Sequence, residues 1–422
     1  MKRILFSLLV LVLVVSFASC GNNDGVGDEV NETHYETETN DETKVSEETE
    51  AETEITIGGK NINDYYKVVQ FDLPEGSFRD AVVAHMREQA SIEWVCSETF
   101  GITEDFNSWG IHLQFKKGEK YVGIPYADTK VSAEQFRQAL VDGTYTCQSD
   151  KWKDVYGVQC VSSIYNSIQQ VAPNVYGTTY NMTPGIVSFE FRGIICGQYE
   201  VPKSLRKTQE IIDTNSGDVM CEAYAQLKKG DVIIMQDLDR GAAHTRLVVE
   251  DAVVLRNAAG KINKGRSYVQ TIEQTNSFDA QRTDGVKTTW YVDHKYSFDK
   301  LIQTNYVPIT FEIYNKDRSE CEAPYLLLDK EITPKQIEKG AIGSNVESNF
   351  PIRYVYLDLY SKDGKLVKRE MKFDMADEFK VILRKPSIAL ASNLEKGEYT
   401  FVLTAGIARG SAELARVDFT VE

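Results

Sequence analysis

The pattern of apolar and polar positions divides this chain of 422 residues into four stretches. An apolar run at residues 4–15 follows two basic residues and is too short to span a bilayer comfortably as a helix. A long polar stretch comes next, then a region of mixed periodicity, and finally a region of short alternating runs. The pattern predicts a signal peptide at 1–19, a tether at 20–57, and two folded domains at 58–306 and 307–422.

In the first folded domain, periodicity predicts helices mixed with short strands. Residues 78–90 give the clearest early helix, and apolar side chains at 161, 164, 165 and 168 share one face of another. Residues 229–235 indicate a turn entering a strand, and 247–249 indicate a second strand. In a third predicted strand, 267–274, alternate side chains face opposite sides. This mixture predicts an α+β domain.

The second folded domain is predicted to be all-β. Val355, Leu357 and Leu359 share one face of a strand, and the segment 362–364 (Lys-Asp-Gly) is a hairpin turn signal. Short runs separated by turn residues predict an immunoglobulin-like β-sandwich. Its clearest strands are 309–314, 354–360, 366–373, 380–383, 399–405 and 416–421. No candidate chemistry falls here, which indicates a spacer or a module that binds a wall or protein ligand.

The N-terminus predicts where the protein is located. Two small residues, Ala18 and Ser19, stand directly before Cys20, and Gly21 follows it. This arrangement resembles the lipobox of bacterial lipoproteins, in which the cysteine becomes the lipidated first residue after cleavage. We therefore expect an extracytoplasmic protein anchored to the bacterial cell membrane through a lipidated Cys20. An ordinary signal peptide cut nearby, or an uncleaved anchor, is the alternative.

The acidic character of the chain belongs mostly to the predicted tether. Residues 21–54 contain thirteen acidic side chains against one lysine, and so carry −12 of the formal charge of −16. A segment so charged and so poor in apolar residues is predicted to remain extended and disordered. The acidic pI therefore does not indicate a basic substrate. No basic tract of the kind that nucleic-acid binding requires is present, so no nucleic-acid partner is predicted.

Cys160 is the strongest candidate for chemistry. It stands at or next to the predicted start of a helix, where exposed N–H groups and the positive end of the helix dipole favour a thiolate. His244 follows 84 residues later, between the two predicted strands at 229–235 and 247–249. A thiol at a helix start and an imidazole at a sheet edge are typical of Cys-His hydrolases. The alternative is a small cysteine buried in the core.

The residues around Cys160 and His244 resemble the papain-like NlpC/P60 superfamily of cell-wall peptidases. The resemblance rests on Tyr156-Gly-Val-Gln-Cys160-Val-Ser-Ser, Gly230-Asp231-Val-Ile and His244-Thr-Arg-Leu-Val-Val249, and it covers roughly residues 60–305. It implies a helix-borne cysteine packed on a small antiparallel sheet, and peptidoglycan stem peptides as substrate. The usual Asp-Cys-Ser-Gly of that family is replaced here by Gln159-Cys160-Val161-Ser162, which leaves the identity of the substrate open.

The resemblance also implies a third residue that orients the imidazole from the strand at 267–274. The matching position is Glu273, whose carboxylate would hold the His244 ring and stabilise the imidazolium. Gln274 faces the opposite side of a regular strand and is the weaker candidate. A solvated surface carboxylate is the alternative for Glu273. The predicted catalytic residues are therefore Cys160, His244 and Glu273, and the predicted substrate-binding residues are Tyr156, Gln159 and Gln274.

The remaining candidate site residues are supported by weaker sequence signals. Gln159 or Tyr156 is expected to assist the Cys160 N–H in binding an oxyanion. The segment 121–126 is bracketed by tyrosines and fits either a cleft wall or an edge strand. The remaining histidines (His34, His85, His112 and His294) match no catalytic pattern, and no metal or cofactor motif is present, so no cofactor is predicted. If one disulfide forms inside the first folded domain, Cys196 with Cys221 is the expected pair. The alternatives to a peptidase are a CHAP-type amidase and a lipoprotein that binds wall peptides without cutting them.

Overall fold

The computed structural model describes residues 56–102, 112–147, 154–373 and 378–422. Cys20, His34, the predicted signal peptide and all but the last two residues of the predicted tether lie outside these ranges. Within them the α-helices are α1 (Phe78–Ser91), α2 (Ala133–Gln138), α3 (Cys160–Ile168), α4 (Thr179–Met182), α5 (Gln209–Thr214), α6 (Gly217–Tyr224), α7 (Phe298–Gln303), α8 (Pro334–Glu338) and α9 (Arg384–Ala391).

The strands are more numerous than the helices and mostly short. They are β1 (Thr56–Ile57), β2 (Lys60–Asn61), β3 (Lys67–Gln70), β4 (Glu93–Cys96), β5 (Phe100–Ile102), β6 (Leu113–Phe115), β7 (Lys120–Val122), β8 (Leu140–Val141), β9 (Thr144–Tyr145), β10 (Ile194–Ile195), β11 (Val232–Asp237), β12 (Ala242–Val248), β13 (Tyr268–Gln274), β14 (Trp290–Ser297), β15 (Val307–Thr310), β16 (Tyr325–Leu328), β17 (Asn345–Ser348), β18 (Ile352–Ser361), β19 (Leu366–Phe373), β20 (Lys380–Ile382), β21 (Gly397–Ile407) and β22 (Gly410–Val421).

The largest sheet has six antiparallel strands in the order β10-β15-β11-β12-β13-β14. Helices α1 and α3 pack against each other, and α3 lies against β12 and β13. All nine residues of α3 are buried, including its polar ones, so this helix forms part of the core. The fold is α+β. The predicted helix at 78–90 and the predicted strand at 267–274 are both confirmed.

Two four-stranded sheets dominate the C-terminal region, in the orders β20-β17-β16-β3 and β19-β18-β21-β22. Their apolar side chains share one core, to which Val355, Leu357 and Leu359 contribute as predicted. The predicted turn at 362–364 joins β18 to β19, with Gly364 at a φ of +78° that favours glycine. The expectation of an all-β region is wrong, because α8 and α9 also lie in it.

The predicted boundary between residues 306 and 307 does not separate the sheets. Strand β15 pairs with β10 and β11, although it follows that boundary, and β3 pairs with β16, although it precedes the boundary by more than 200 residues. The expected strand at 309–314 ends at Thr310 and is followed by a 3₁₀ turn. The predicted tether also extends too far, since Ile57 in β1 is buried against Tyr325 and Leu327.

Residues of the C-terminal region also form hydrogen bonds at the end of the helix that carries Cys160. Arg353, on β18, donates to the carbonyl of Lys130 and to Gln169 Oε1, the latter at 3.4 Å. Arg409, in the β21–β22 turn, donates to Gln170 Oε1 at 3.1 Å. Gln169 caps the C-terminal end of α3, where positive charge is favoured by the helix dipole. The end of α3 opposite Cys160 is therefore held by two arginines from the other sheets.

A close backbone approach holds the loop that leads into Cys160. Val158 forms a parallel bridge with Tyr126, and a Cβ on Gly157 would lie 2.5 Å from both the Ala127 side chain and the Pro125 carbonyl. Only glycine fits at that position without displacing the backbone. The segment 121–126 is thus partly the edge strand β7 and partly a wall beside the start of α3.

The described residues bear on the predicted disulfide and on membrane-spanning helices. The thiols of Cys196 and Cys221 are both free, so the predicted pair is wrong. Cys196 lies just after β10 and Cys221 lies inside α6. Across the described residues, no helix has both the length and the apolar character needed to cross a bilayer.

Candidate active site

Cys160 is the first residue of α3, as its sequence position predicts. Gln159 precedes it with an extended backbone, and its N–H donates to the Ser162 hydroxyl at 2.8 Å, which caps the first turn. The Cys160 N–H therefore lies in the first turn, where helix N–H groups have no intrahelical acceptor. Cys160 is buried, with only 6% of the residue exposed.

His244 lies on β12, opposite Met235 on β11, and its side chain is 18% exposed. Burial raises the pKa of Cys160, but the hydrogen bond and charge of His244, with the Thr245 N–H, outweigh burial and hold that pKa below its usual range. Burial lowers the pKa of His244, and the contacts with Cys160 and Glu273 overcome it and raise that pKa to about 9. The pair therefore favours thiolate and imidazolium at neutral pH.

Glu273, on β13, reaches the same imidazole. Its Oε2 lies 2.5 Å from His244 Nε2, and its side chain is 2% exposed. Although burial raises the pKa of Glu273, His244 and Arg246 lower it to about 2, so the carboxylate is ionised. Because Nε2 faces Glu273, the other ring nitrogen of His244, Nδ1, is left for the thiol. The structure thus brings Cys160, His244 and Glu273 together in one chain of contacts.

Three further residues surround Glu273 that the sequence did not single out. Arg246 Nε donates to Glu273 Oε2 at 2.8 Å, and the Tyr296 hydroxyl donates to Oε1. The Arg246 guanidinium lies 3.8 Å from the ring centroid of Tyr296 and 4.1 Å from that of Tyr306. The Tyr306 ring also meets the His244 ring edge to face, with centroids 6.4 Å apart. One signal was available: Arg246 is two residues from His244, so both share a face of β12.

Tyr126 is a further residue near the Cys160 thiol. It is 8% exposed, and its pKa is raised first by burial and then by the charge of Cys160 and Asp128. The tyrosine-bracketed pattern at 121–126 was the available signal. The bridge between Tyr126 and Val158 brings these distant segments side by side.

The three predicted substrate-binding residues are placed differently from one another. Gln274 is fully buried and donates to the Ile124 carbonyl at 2.8 Å, which corrects its predicted place in the substrate site. The Gln159 side chain donates to Asp128 Oδ1. The Tyr156 hydroxyl lies 3.8 Å from the Met371 sulfur on β19, and thus points toward the C-terminal sheet. Neither side chain is directed at an oxyanion by these contacts.

The other described histidines are engaged elsewhere. His85 Nδ1 lies 3.2 Å from the Ser167 hydroxyl, and burial lowers the pKa of His85 to about 4. His294 Nε2 lies 3.2 Å from Asp279 Oδ2, and His112 is exposed. Within the described ranges, no group of three or more His, Cys, Asp or Glu side chains is arranged to hold a metal ion.

Comparisons with known proteins return no match: no family model matches the sequence, no curated protein is significantly similar to it, and no solved structure is significantly similar in fold. The chemistry of the site therefore has to be argued from its own residues.

Proposed function

We propose that this protein is a cysteine hydrolase in which Cys160, His244 and Glu273 cleave amide bonds by acyl transfer. The observation that carries the proposal is the continuous chain of contacts from a thiol at a helix N-terminus, through an imidazole, to a buried carboxylate. A core cysteine has no need of an imidazole partner that lowers its pKa. A buried glutamate has no need of a histidine when an arginine already pairs with it.

The mechanism begins with the Cys160 thiolate attacking a substrate carbonyl carbon. The new C–S bond pushes electrons onto the carbonyl oxygen, which the Cys160 N–H at the helix start stabilises. The intermediate then collapses, the C–N bond breaks, and protonated His244 gives its proton to the leaving amine. A water molecule, deprotonated by the now neutral His244, attacks the thioester and releases the acid and the thiolate. Glu273 holds the ring oriented through both steps.

The substrate and the finer fold assignments belong to the same proposal. Peptidoglycan stem peptides are the substrate that the NlpC/P60 resemblance implies, with a papain-like arrangement around Cys160 and an immunoglobulin-like pairing of the two C-terminal sheets. A CHAP-type amidase would use the same residues on the bond between sugar and peptide. The contact between Gln159 and Asp128 supports a mode of substrate binding that differs from that of typical family members. A non-catalytic protein that binds wall peptides is the other alternative.

We expect purified peptidoglycan to be cut by the wild-type chain and left intact by Cys160→Ser, because the hydroxyl is a far weaker nucleophile without thiolate character. Mass spectrometry of the new ends identifies the bond: new termini within stem peptides support a peptidase, and free lactyl groups on the glycan support the amidase. Cys321→Ser is the matched control and should cut like the wild type. Binding of peptidoglycan without any cleavage would support the binder instead.

The membrane anchor is proposed from the sequence alone, and a single substitution tests it. Cys20→Ser removes the only acceptor of the predicted lipid, so we expect the protein to leave the membrane fraction. Fractionation of cells followed by immunoblotting measures this, with Cys321→Ser as the control that keeps its location. Unchanged membrane association of Cys20→Ser would point to an uncleaved N-terminal helix.

A further inference from the structure

The buried carboxylate at the centre of the site has more partners than a histidine-orienting residue requires. His244 Nε2 and Arg246 Nε both contact Oε2 of Glu273, and the Tyr296 hydroxyl donates to Oε1. Both oxygens are therefore engaged. The Glu273 carboxylate can present Oε2 to His244 only in the rotamer that these partners select.

Charge counting shows why a fixed cation matters here. Thiolate and imidazolium form a neutral pair, as do the thiol and the neutral imidazole that precede them. The ionised Glu273 adds one negative charge to either form, inside a site where its own side chain is 2% exposed. Arg246 supplies the compensating charge permanently, because a guanidinium does not lose its proton in proteins. The four groups are then neutral in both states of the proton transfer.

The arginine is itself held in place. Its guanidinium is stacked between the rings of Tyr296 and Tyr306, at 3.8 and 4.1 Å from their centroids, and its side chain is 13% exposed. Stacking of this kind fixes the plane of the guanidinium and contributes cation–π attraction. Tyr306 therefore contacts both cationic groups, the Arg246 guanidinium and the His244 ring.

We infer that Arg246 is a positioning residue of this site: it fixes the Glu273 carboxylate for His244 and keeps the buried Cys160-His244-Glu273 cluster electrically neutral. The inference rests on the proposed function. The titratable or charged groups that face the cluster are Arg246 on β12, Tyr296 on β14, Tyr306 before β15 and Tyr126 beside α3. Of these, Arg246 is the group whose positive charge is permanent.

The test is the pH dependence of Cys160 alkylation by iodoacetate, measured on the full chain in detergent with the modified peptide identified by mass spectrometry. An anionic reagent reacts fastest while thiolate and imidazolium coexist, so the profile is bell-shaped. Arg246→Met leaves an extra negative charge on the cluster, which favours the protonated forms of Cys160 and His244. We therefore expect both the rising and the falling limb of the alkylation profile to move to higher pH by about one unit. Arg246→Lys retains the charge, and its limbs should stay near those of the wild type while turnover falls.

Arg79, on α1, provides a matched control, because it pairs with a buried carboxylate just before β11 of the same sheet. It donates to Asp231, a carboxylate that is also 2% exposed, at 2.8 Å, and lies 4.1 Å from the Tyr314 ring centroid. Arg79→Met should lower thermal stability but leave both limbs in place. If Arg246→Met does not fold, Arg246→Gln serves as the uncharged variant. Unmoved limbs in the uncharged variant, or an equal shift in Arg79→Met, would overturn the inference. A wild-type Cys160 that reacts no faster than Cys321 would instead overturn the proposed function.

Discussion

Replacing His244 by alanine should slow the alkylation of Cys160 by iodoacetamide near pH 7 by about 30-fold or more. Without the imidazolium, burial raises the pKa of the thiol and is opposed mainly by the hydrogen bonds of Thr245, so at most about 3% remains thiolate at that pH. In the wild type, thiolate forms above the lowered pKa of Cys160, and the imidazolium that supports it persists up to about pH 9. Cys160 should therefore be the fastest-reacting thiol between these limits. Turnover should fall further, by about 10⁶-fold, because the same residue also transfers the proton.

His294 offers the matched control for this substitution. It also lies on a strand of the six-stranded sheet and also contacts a carboxylate, Asp279, at 3.2 Å, but no contact joins it to Cys160. His294→Ala should leave the labelling rate of Cys160 unchanged. Time-resolved labelling followed by peptide mass spectrometry separates the individual thiols. Equal rates for Cys160 and Cys321 in the wild-type chain would contradict an activated nucleophile.

The parts of the site that could be predicted are those that follow from local pattern. A helix start at Cys160 follows from apolar spacing after a glycine-containing loop. Glu273 on β13 is the position that the family resemblance implies, and alternation along the strand distinguishes it from Gln274. Both signals lie within a few residues of the side chain concerned. The sequence predicts His244 between two strand-like runs; the first contributes to β11, and the second begins earlier than expected, so that His244 lies on β12 itself.

The parts that could not be predicted depend on contacts between distant segments. Arg246 and Tyr296 are unremarkable residues in amphipathic strands until the register of β12, β13 and β14 brings them to one carboxylate. In the same way, β3 joins the C-terminal sheet by pairing with β16, which no local pattern indicates. An extra residue on β14, Asp293 at a φ of +61°, also interrupts simple alternation. Domain boundaries and the further contacts of a site residue such as Glu273 depend on segments far apart in the sequence. Periodicity reports only on neighbouring residues.

Glu273→Gln should reduce turnover by about 10³- to 10⁴-fold, because an amide neither stabilises the imidazolium nor selects the tautomer that leaves Nδ1 for the thiol. The substitution also leaves Arg246 buried without its carboxylate, at a cost of about 3–5 kcal/mol in the free energy of unfolding. Gln274→Ala is the neighbouring control. It removes a donor to the Ile124 carbonyl, which Trp290 Nε1 still contacts at 2.8 Å. We expect it to cost about 1–3 kcal/mol in stability while the folded protein turns over near the wild-type rate.

The double variant Glu273→Gln/Arg246→Met separates the two roles of the carboxylate. Removing both charges takes away the unpaired arginine, so thermal and denaturant unfolding should recover much of the lost stability. Turnover should remain low, because His244 Nε2 still lacks an anionic partner. Activity that returns together with stability would mean that Glu273 serves only to pair Arg246. If Glu273→Gln and Gln274→Ala are both mild in turnover, Cys160 and His244 act as a dyad, and the contact at 2.5 Å between Glu273 and His244 is structural.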